Sequence, residues 1–169
     1  MQRSNSMMDD KLKELEKRIK DKSARIGIIG LGYVGLPLAL AFAQAGFRVT
    51  GFDIQQKRVD LVNGGISYIG DIKNDVLSAA IASSLLRATT DQSKLKEMNA
   101  VCICVPTPLS KTKEPDLSYV KNESETLSKY LQSGQLIVLE STTYPGTTRD
   151  VMLPIIEKSG LRGGGDFYM

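Results

Sequence analysis

The sequence predicts an α/β fold, a doubly wound parallel sheet in three α/β/α layers, preceded by one extra helix. Three observations carry this expectation. Short apolar runs alternate with amphipathic stretches of about 10–15 residues, which is the pattern of βαβ units. The run Gly30-Leu-Gly-Tyr-Val-Gly35 joins the first apolar run to the helical stretch after it. Asp53 closes the next apolar run, at about the 20-residue spacing expected of an acid that follows such a glycine turn.

The elements follow in order. Residues 1–8 read as a disordered start, and residues 9–22 as a helix with Leu12, Leu15 and Ile19 on one narrow stripe. That stripe can pack on the domain or on a second copy, or belong to a solvated, fraying arm. Residues 25–30 form the first strand. Residues 33–45 form a helix rich in Ala and Leu, closed by Gly46. Residues 47–53 are the second strand, 55–63 a helix ending at Asn63-Gly-Gly65, and 72–83 another helix. Residues 85–89 give a third strand and 91–98 a short helix. Ala100-Val-Cys-Ile-Cys-Val105 is the most apolar run and reads as a buried central strand. After Pro106-Thr-Pro108 comes a charged loop with Pro115. Residues 116–131 are helical, 135–140 a fifth strand, 147–158 a helix, and 166–169 the start of a sixth strand. Thr147 or Thr148 is the expected cap of that last helix. This gives a charged arm over 1–23 and one Rossmann-type domain over 24–169.

Composition narrows the functions. With 169 residues, 41% hydrophobic and 24% charged, the chain has the make-up of one globular domain. It has no histidine, which removes Ser-His-Asp and Cys-His catalysis and the commonest zinc ligand. No metal site is expected. No apolar run approaches the roughly 20 residues of a membrane helix, and the polar first 24 residues do not read as a secretory signal. The expectation is a cytoplasmic protein without a membrane partner. Residues 1–24 hold seven Lys/Arg against five Asp/Glu, so two of the three net positive charges sit in the arm. A nucleic-acid partner is therefore not expected.

Ligands of such sheets bind outside the carboxyl ends of the strands, where the strand order reverses. The turns after the strands are thus the places to look. In the glycine run, Gly30 permits a tight turn and Gly32 leaves room for a pyrophosphate. Gly35 lets the helix close on the strand. Tyr33 and Val34 lie between them at the helix start, where unpaired N–H groups and the positive dipole end favour phosphate. Pro37 sits in the first helical turn, where a missing N–H is harmless. Asp53 can accept both ribose hydroxyls of an adenosine half and repel a 2′-phosphate, which favours NAD over NADP. Arg58 is either a cofactor contact or a residue of a solvated helix face. The two prolines hold Thr107 at the sheet edge, as a cofactor contact or as a cap of a rigid turn. Ser141 and Thr142 follow the fifth strand, where a nicotinamide end would lie. Glu140 is an acid–base group or, by preference, a buried acceptor for backbone N–H groups. Cys102 and Cys104 read as inert packing on one face of a strand.

Taken together, Gly30-Leu-Gly-Tyr-Val-Gly-Leu-Pro37, Cys104-Val-Pro-Thr-Pro-Leu109, Glu114-Pro-Asp-Leu-Ser118 and Glu140-Ser-Thr-Thr-Tyr-Pro-Gly-Thr-Thr148 resemble the UDP-glucose/GDP-mannose dehydrogenase family. The last two motifs are most similar to its bacterial UDP-N-acetyl-D-glucosamine 6-dehydrogenases. The resemblance covers about residues 24–169. It implies an NAD-binding domain followed by a long central helix and a UDP-sugar domain, usually in a homodimer. It also implies oxidation of a sugar C6 hydroxyl to a carboxylate with two NAD, through a cysteine-bound thiohemiacetal and thioester, in surface-polysaccharide synthesis. Cofactor roles carry over to Gly30, Gly32, Gly35, Asp53, Arg58, Thr107 and Thr142. Catalytic roles do not. The family's Ser-Pro-Glu glutamate would follow Met169, with the lysine, asparagine and nucleophilic cysteine further on. The chain by itself is thus expected to be inactive. UDP-glucose and UDP-N-acetylmannosamine are the alternative substrates. A non-enzymatic dinucleotide-binding regulatory module and another two-domain dehydrogenase are the alternative functions.

Overall fold

The computed structural model describes residues 2–109 and 115–169. Helix α1 spans Gln2–Lys20, and β1 (Arg25–Ile29) leads into α2 (Gly35–Gln44). Strand β2 (Arg48–Phe52) is followed by α3 (Gln56–Asn63) and α4 (Asn74–Ala82). Strand β3 (Leu86–Thr89), a 3-10 helix (Gln92–Glu97) and β4 (Ala100–Ile103) come next. Helix α5 (Ser118–Tyr130), β5 (Leu136–Leu139) and a mixed helical segment over 147–159 complete the chain. The charged stretch 110–114, with Glu114, lies outside the described residues.

All strands are parallel, in the order β3-β2-β1-β4-β5. Strand β4 is an interior strand, and all four of its residues are buried. Alternation along the strands sends Ile26, Ile28, Ala100 and Cys102 to a core shared with α2, α3 and α4. Ile29, Val101 and Ile103 face the other core, with α5, the 3-10 helix and Met152 and Ile156. Two covered faces explain why these short strands read as continuous apolar runs. Gln135 ties the second layer together. Its buried amide donates to the carbonyls of Leu95 (2.8 Å) and Met98 (2.6 Å), and its Oε1 accepts from Gln132 N (2.9 Å).

Several boundaries differ from the sequence reading. Helix α1 begins at Gln2, so the expected disordered start is absent from residues 2–8. The arm docks on the domain: Leu15 is buried, and the Lys11 ammonium donates to Ser133 Oγ at 2.6 Å. The segment 166–169 forms no full strand. Tyr168 makes one parallel bridge to Leu136 beside β5. The helix expected over 147–158 is a π-helical turn (Thr147–Met152), one α turn (Leu153–Ile156) and a 3-10 turn (Glu157–Ser159). Neither threonine caps it. Gly146, at φ 91°, occupies the cap position, and the Thr147 hydroxyl turns back to donate to Tyr144 O at 2.8 Å.

Candidate cofactor site

The order β3-β2-β1-β4-β5 places the reversal point between β1 and β4, and the crevice of such a sheet opens there. The turn after β1 forms one wall. Gly30 has φ +87°, which an L side chain rarely adopts, and a Cβ there would lie 2.8 Å from the Cys104 carbonyl oxygen. A Cβ on Gly35 would collide with the carbonyl oxygen of Gly30. A Cβ on Gly32 meets nothing within 4 Å, because this glycine faces open space. Helix α2 starts at Gly35 without a side-chain cap. The N–H groups of Tyr33, Val34 and Gly35 find no protein acceptor among the described residues. Tyr33 and Val34 are themselves exposed, at 82% and 57%. An open glycine, free amides and a helix dipole at one spot make a phosphate cradle.

Asp53 follows β2 and is only 5% exposed. Its Oδ2 accepts from Leu31 N at 3.0 Å and its Oδ1 from Gln55 N at 2.9 Å. The Arg58 guanidinium reaches Oδ2 at 3.3 Å and stands 5.9 Å over the Tyr68 ring. Arg58 thus pairs with Asp53 and stacks on Tyr68 while its side chain stays 38% exposed. Tyr68 had no signal in the sequence beyond being an aromatic in a loop. Its hydroxyl donates to Leu31 O at 2.6 Å, which braces the glycine turn from the side. Burial, with the nearby Asp53 charge, pushes the Tyr68 phenol up to about 12, so it stays a donor at neutral pH.

The opposite wall comes from the turns after β4 and β5. Thr107 Oγ1 donates to Thr142 O at 2.7 Å, which ties the two turns together. Ser141 Oγ donates to Val105 O at 2.8 Å across the same gap. Thr142 is exposed at the mouth. Glu140 is exposed as well, so it is not the buried acceptor expected from sequence. Its place at the end of β5 points the side chain out of the core. A half-buried carboxyl with one buried oxygen lies on α5, within reach of the Asp53 charge. Glu123 Oε2 has no hydrogen-bond partner among the described residues, and burial and then Asp53 raise its pKa.

Cys102 and Cys104 are free and buried. Burial, with the Glu140 charge, pushes their thiols up from 9.0 to about 11 and about 12, the neighbouring Cys102 adding to Cys104. A raised folded-state value favours the neutral thiol in the fold. The stability from this source is full below pH 9 and is lost as pH rises through about 11 to 12. Urea titrations across alkaline pH are expected to show that fall. A native protein that reacts rapidly with a thiol reagent at neutral pH contradicts it. No group of His, Cys, Asp and Glu able to hold a metal occurs among the described residues. No described helix is long and apolar enough to cross a membrane.

A glycine turn, an open helix start and a buried strand-end carboxylate at the reversal point define a dinucleotide-binding α/β domain. Residues 24–169 match the UDP-glucose/GDP-mannose dehydrogenase family, NAD binding domain, and the chain belongs to that family. Its cofactor is NAD, and the cradle and the Asp53 carboxylate suit a pyrophosphate and a ribose. The chain is 40% identical over 146 residues to a UDP-N-acetyl-D-glucosamine 6-dehydrogenase of Salmonella typhi, covering 86% of this chain and 33% of the relative. It is 38% identical over 146 residues to a UDP-N-acetyl-D-mannosamine dehydrogenase of Pyrococcus horikoshii, covering 86% and 35%. The crystal structure of a GDP-mannose dehydrogenase ternary complex from Pseudomonas aeruginosa superposes with a TM-score of 0.81 at 34% identity, covering 85% of this chain and 34% of that one. The chain thus spans about a third of the length of these relatives.

Proposed function

We propose that residues 24–169 are the cofactor domain of a nucleotide-sugar 6-dehydrogenase, with residues 1–23 as an appended arm. The substrate we favour is UDP-N-acetylglucosamine, oxidised at its C6 hydroxyl to a uronate with two NAD, in surface-polysaccharide synthesis. The observation that carries the reading is the buried Asp53 carboxylate, fixed between the glycine turn and Arg58. NAD supplies the hydride acceptor when bound. In this reading Gly30, Gly32, Tyr33, Val34 and Gly35 hold the pyrophosphate, Asp53 and Arg58 the adenosine ribose, and Thr107 and Thr142 the nicotinamide side. The choice among sugars follows the quoted motifs and the Salmonella relative. The UDP-sugar pocket, the nucleophilic cysteine and the homodimer contacts are assigned to the rest of a full-length, cytoplasmic enzyme. This chain then binds NAD but turns nothing over, since Cys102 and Cys104 are buried packing.

Titration with NAD and NADP, followed by a UDP-sugar panel, tests this. The expected result is NAD binding, weaker NADP binding and no NADH from any sugar with this chain. In the full-length enzyme UDP-N-acetylglucosamine is expected to outrun UDP-glucose. NADH formation by the clean chain defeats the assignment of catalysis elsewhere, and the reverse sugar order defeats the substrate choice. Tight NAD binding with no dehydrogenase activity in the full-length protein favours the regulatory-module alternative.

A further inference from the structure

The amino-terminal end of the sheet, opposite the cofactor crevice, carries an unusual concentration of cations. Arg25 and Arg48 open β1 and β2 and are direct register partners. Arg87, on β3, is the register partner of Thr50. Alternation along a strand puts Arg48 and Thr50 on one face, so the three arginines gather on the side covered by the 3-10 helix. That helix adds Lys94 and Glu97. Together they line a cleft of about 310 Å³. Like charges placed directly opposite on neighbouring strands are destabilising, and Arg25 faces Arg48 in this way. Glu97 relieves only Arg25, at 3.2 Å. The side chains of Arg48 and Arg87 make no hydrogen bond or ion pair among the described residues. The Lys94 ammonium likewise makes no hydrogen bond or ion pair among the described residues. Four cations against one carboxylate leave a surplus of three, as large as the net charge of the whole chain, +3.

We propose that this cleft is a second anion site, which binds the diphosphate group of a small molecule independently of the cofactor. Guanidinium forks match phosphate oxygens in pairs, and three of them meet here with one acid to answer them. The cleft is small enough to favour a bare diphosphate, while a nucleoside diphosphate is the other source of the same group. The β1 and β2 strands, five residues each, separate this site from the phosphate cradle at their far ends. One ligand therefore cannot bridge the two.

The test is calorimetric titration of the 169-residue chain with inorganic pyrophosphate and, separately, with uridine diphosphate. Each is run on the wild type, on Arg48→Gln/Arg87→Gln, and on the wild type saturated with NAD, which fills the glycine turn. We expect binding that weakens with salt and drops about tenfold or more in the double-arginine variant. Saturation with NAD is expected to leave this arginine-dependent binding in place. Tighter binding of uridine diphosphate assigns the site to a nucleotide, and equal or weaker binding assigns it to the free anion. Failure of both probes to bind overturns the proposal. So does equal binding by the double-arginine variant with NAD present, or loss of binding when NAD is present, which places the anion in the glycine turn. Arg48 opens β2, Arg87 is the second residue of β3, and both are exposed, so the variant folds. An unchanged or raised melting temperature, from relief of the Arg25–Arg48 repulsion, confirms that.

Discussion

Asp53→Ala lowers the affinity for NAD by about 10- to 100-fold, the loss expected when hydrogen bonds to a charged acceptor are removed. It also erases the preference over NADP. Asp53 holds Leu31 N, Gln55 N and Arg58 at once. Its removal takes away the ribose acceptor and the charge that repels a 2′-phosphate. It also frees Arg58, which then meets that phosphate favourably. Two controls separate these effects. Asp53→Asn keeps the shape and some hydrogen bonding but loses the charge, so NADP improves while NAD falls less. Arg58→Gln leaves Asp53 in place and removes the cation, so NADP stays weak. The stability cost is read independently. Leu31 N is left buried without an acceptor, which costs about 1–3 kcal/mol and is measurable by denaturant titration. If Asp53→Ala binds NAD within twofold of the wild type, the adenosine half does not lie where we place it.

Gly35→Ala and Gly32→Ala are expected to fail in opposite ways. At Gly35 the added methyl strikes the Gly30 carbonyl, a backbone atom that cannot swing aside. The turn must open or α2 must shift. A loss of about 3 kcal/mol, the upper end of the overpacking range, corresponds to roughly 6–12 °C in melting temperature for a chain of this size. NAD binding is lost with it. At Gly32 nothing lies within 4 Å, so the fold and the melting temperature are untouched. The methyl stands in the open space in front of the cradle, and NAD weakens by about tenfold or more. A Gly32→Ala protein that binds NAD normally moves the pyrophosphate elsewhere. A Gly35→Ala protein that melts like the wild type shows that the turn has slack.

The layers and the crevice were legible because they follow from local pattern. Apolar runs of strand length, separated by amphipathic stretches, leave few alternatives to a parallel sheet. Gly30, Gly35 and Asp53 were legible because each does something only its residue type can do. Three features were not. Helix α1 starts at Gln2 rather than residue 9, because a polar segment carries no apolar period to reveal a helix. The stretch after Gly146 reads as one helix, but the left-handed glycine starts it without a threonine cap. Tyr68 and the arginine cleft were invisible for a common reason. Tyr68 meets Leu31 across 37 positions, and Arg25, Arg48 and Arg87 meet only through strand register. Such neighbours are set by tertiary pairing, which one sequence does not display. Glu140 shows the reverse error. Its place at a strand end suggests burial, but β5 stops at Leu139, one residue short of it.

Gly30 comes from just past the first strand and Cys104 from just past the fourth, yet their backbones nearly touch. Neither half of the polypeptide holds a complete crevice. A dinucleotide gripping both walls joins the two halves across their seam, and unfolding either half releases it. Capture of the ligand and cooperative melting are therefore one linked equilibrium. At a ligand concentration of 100 times Kd the whole domain gains about 2.7 kcal/mol. A melting curve then measures what a binding curve would.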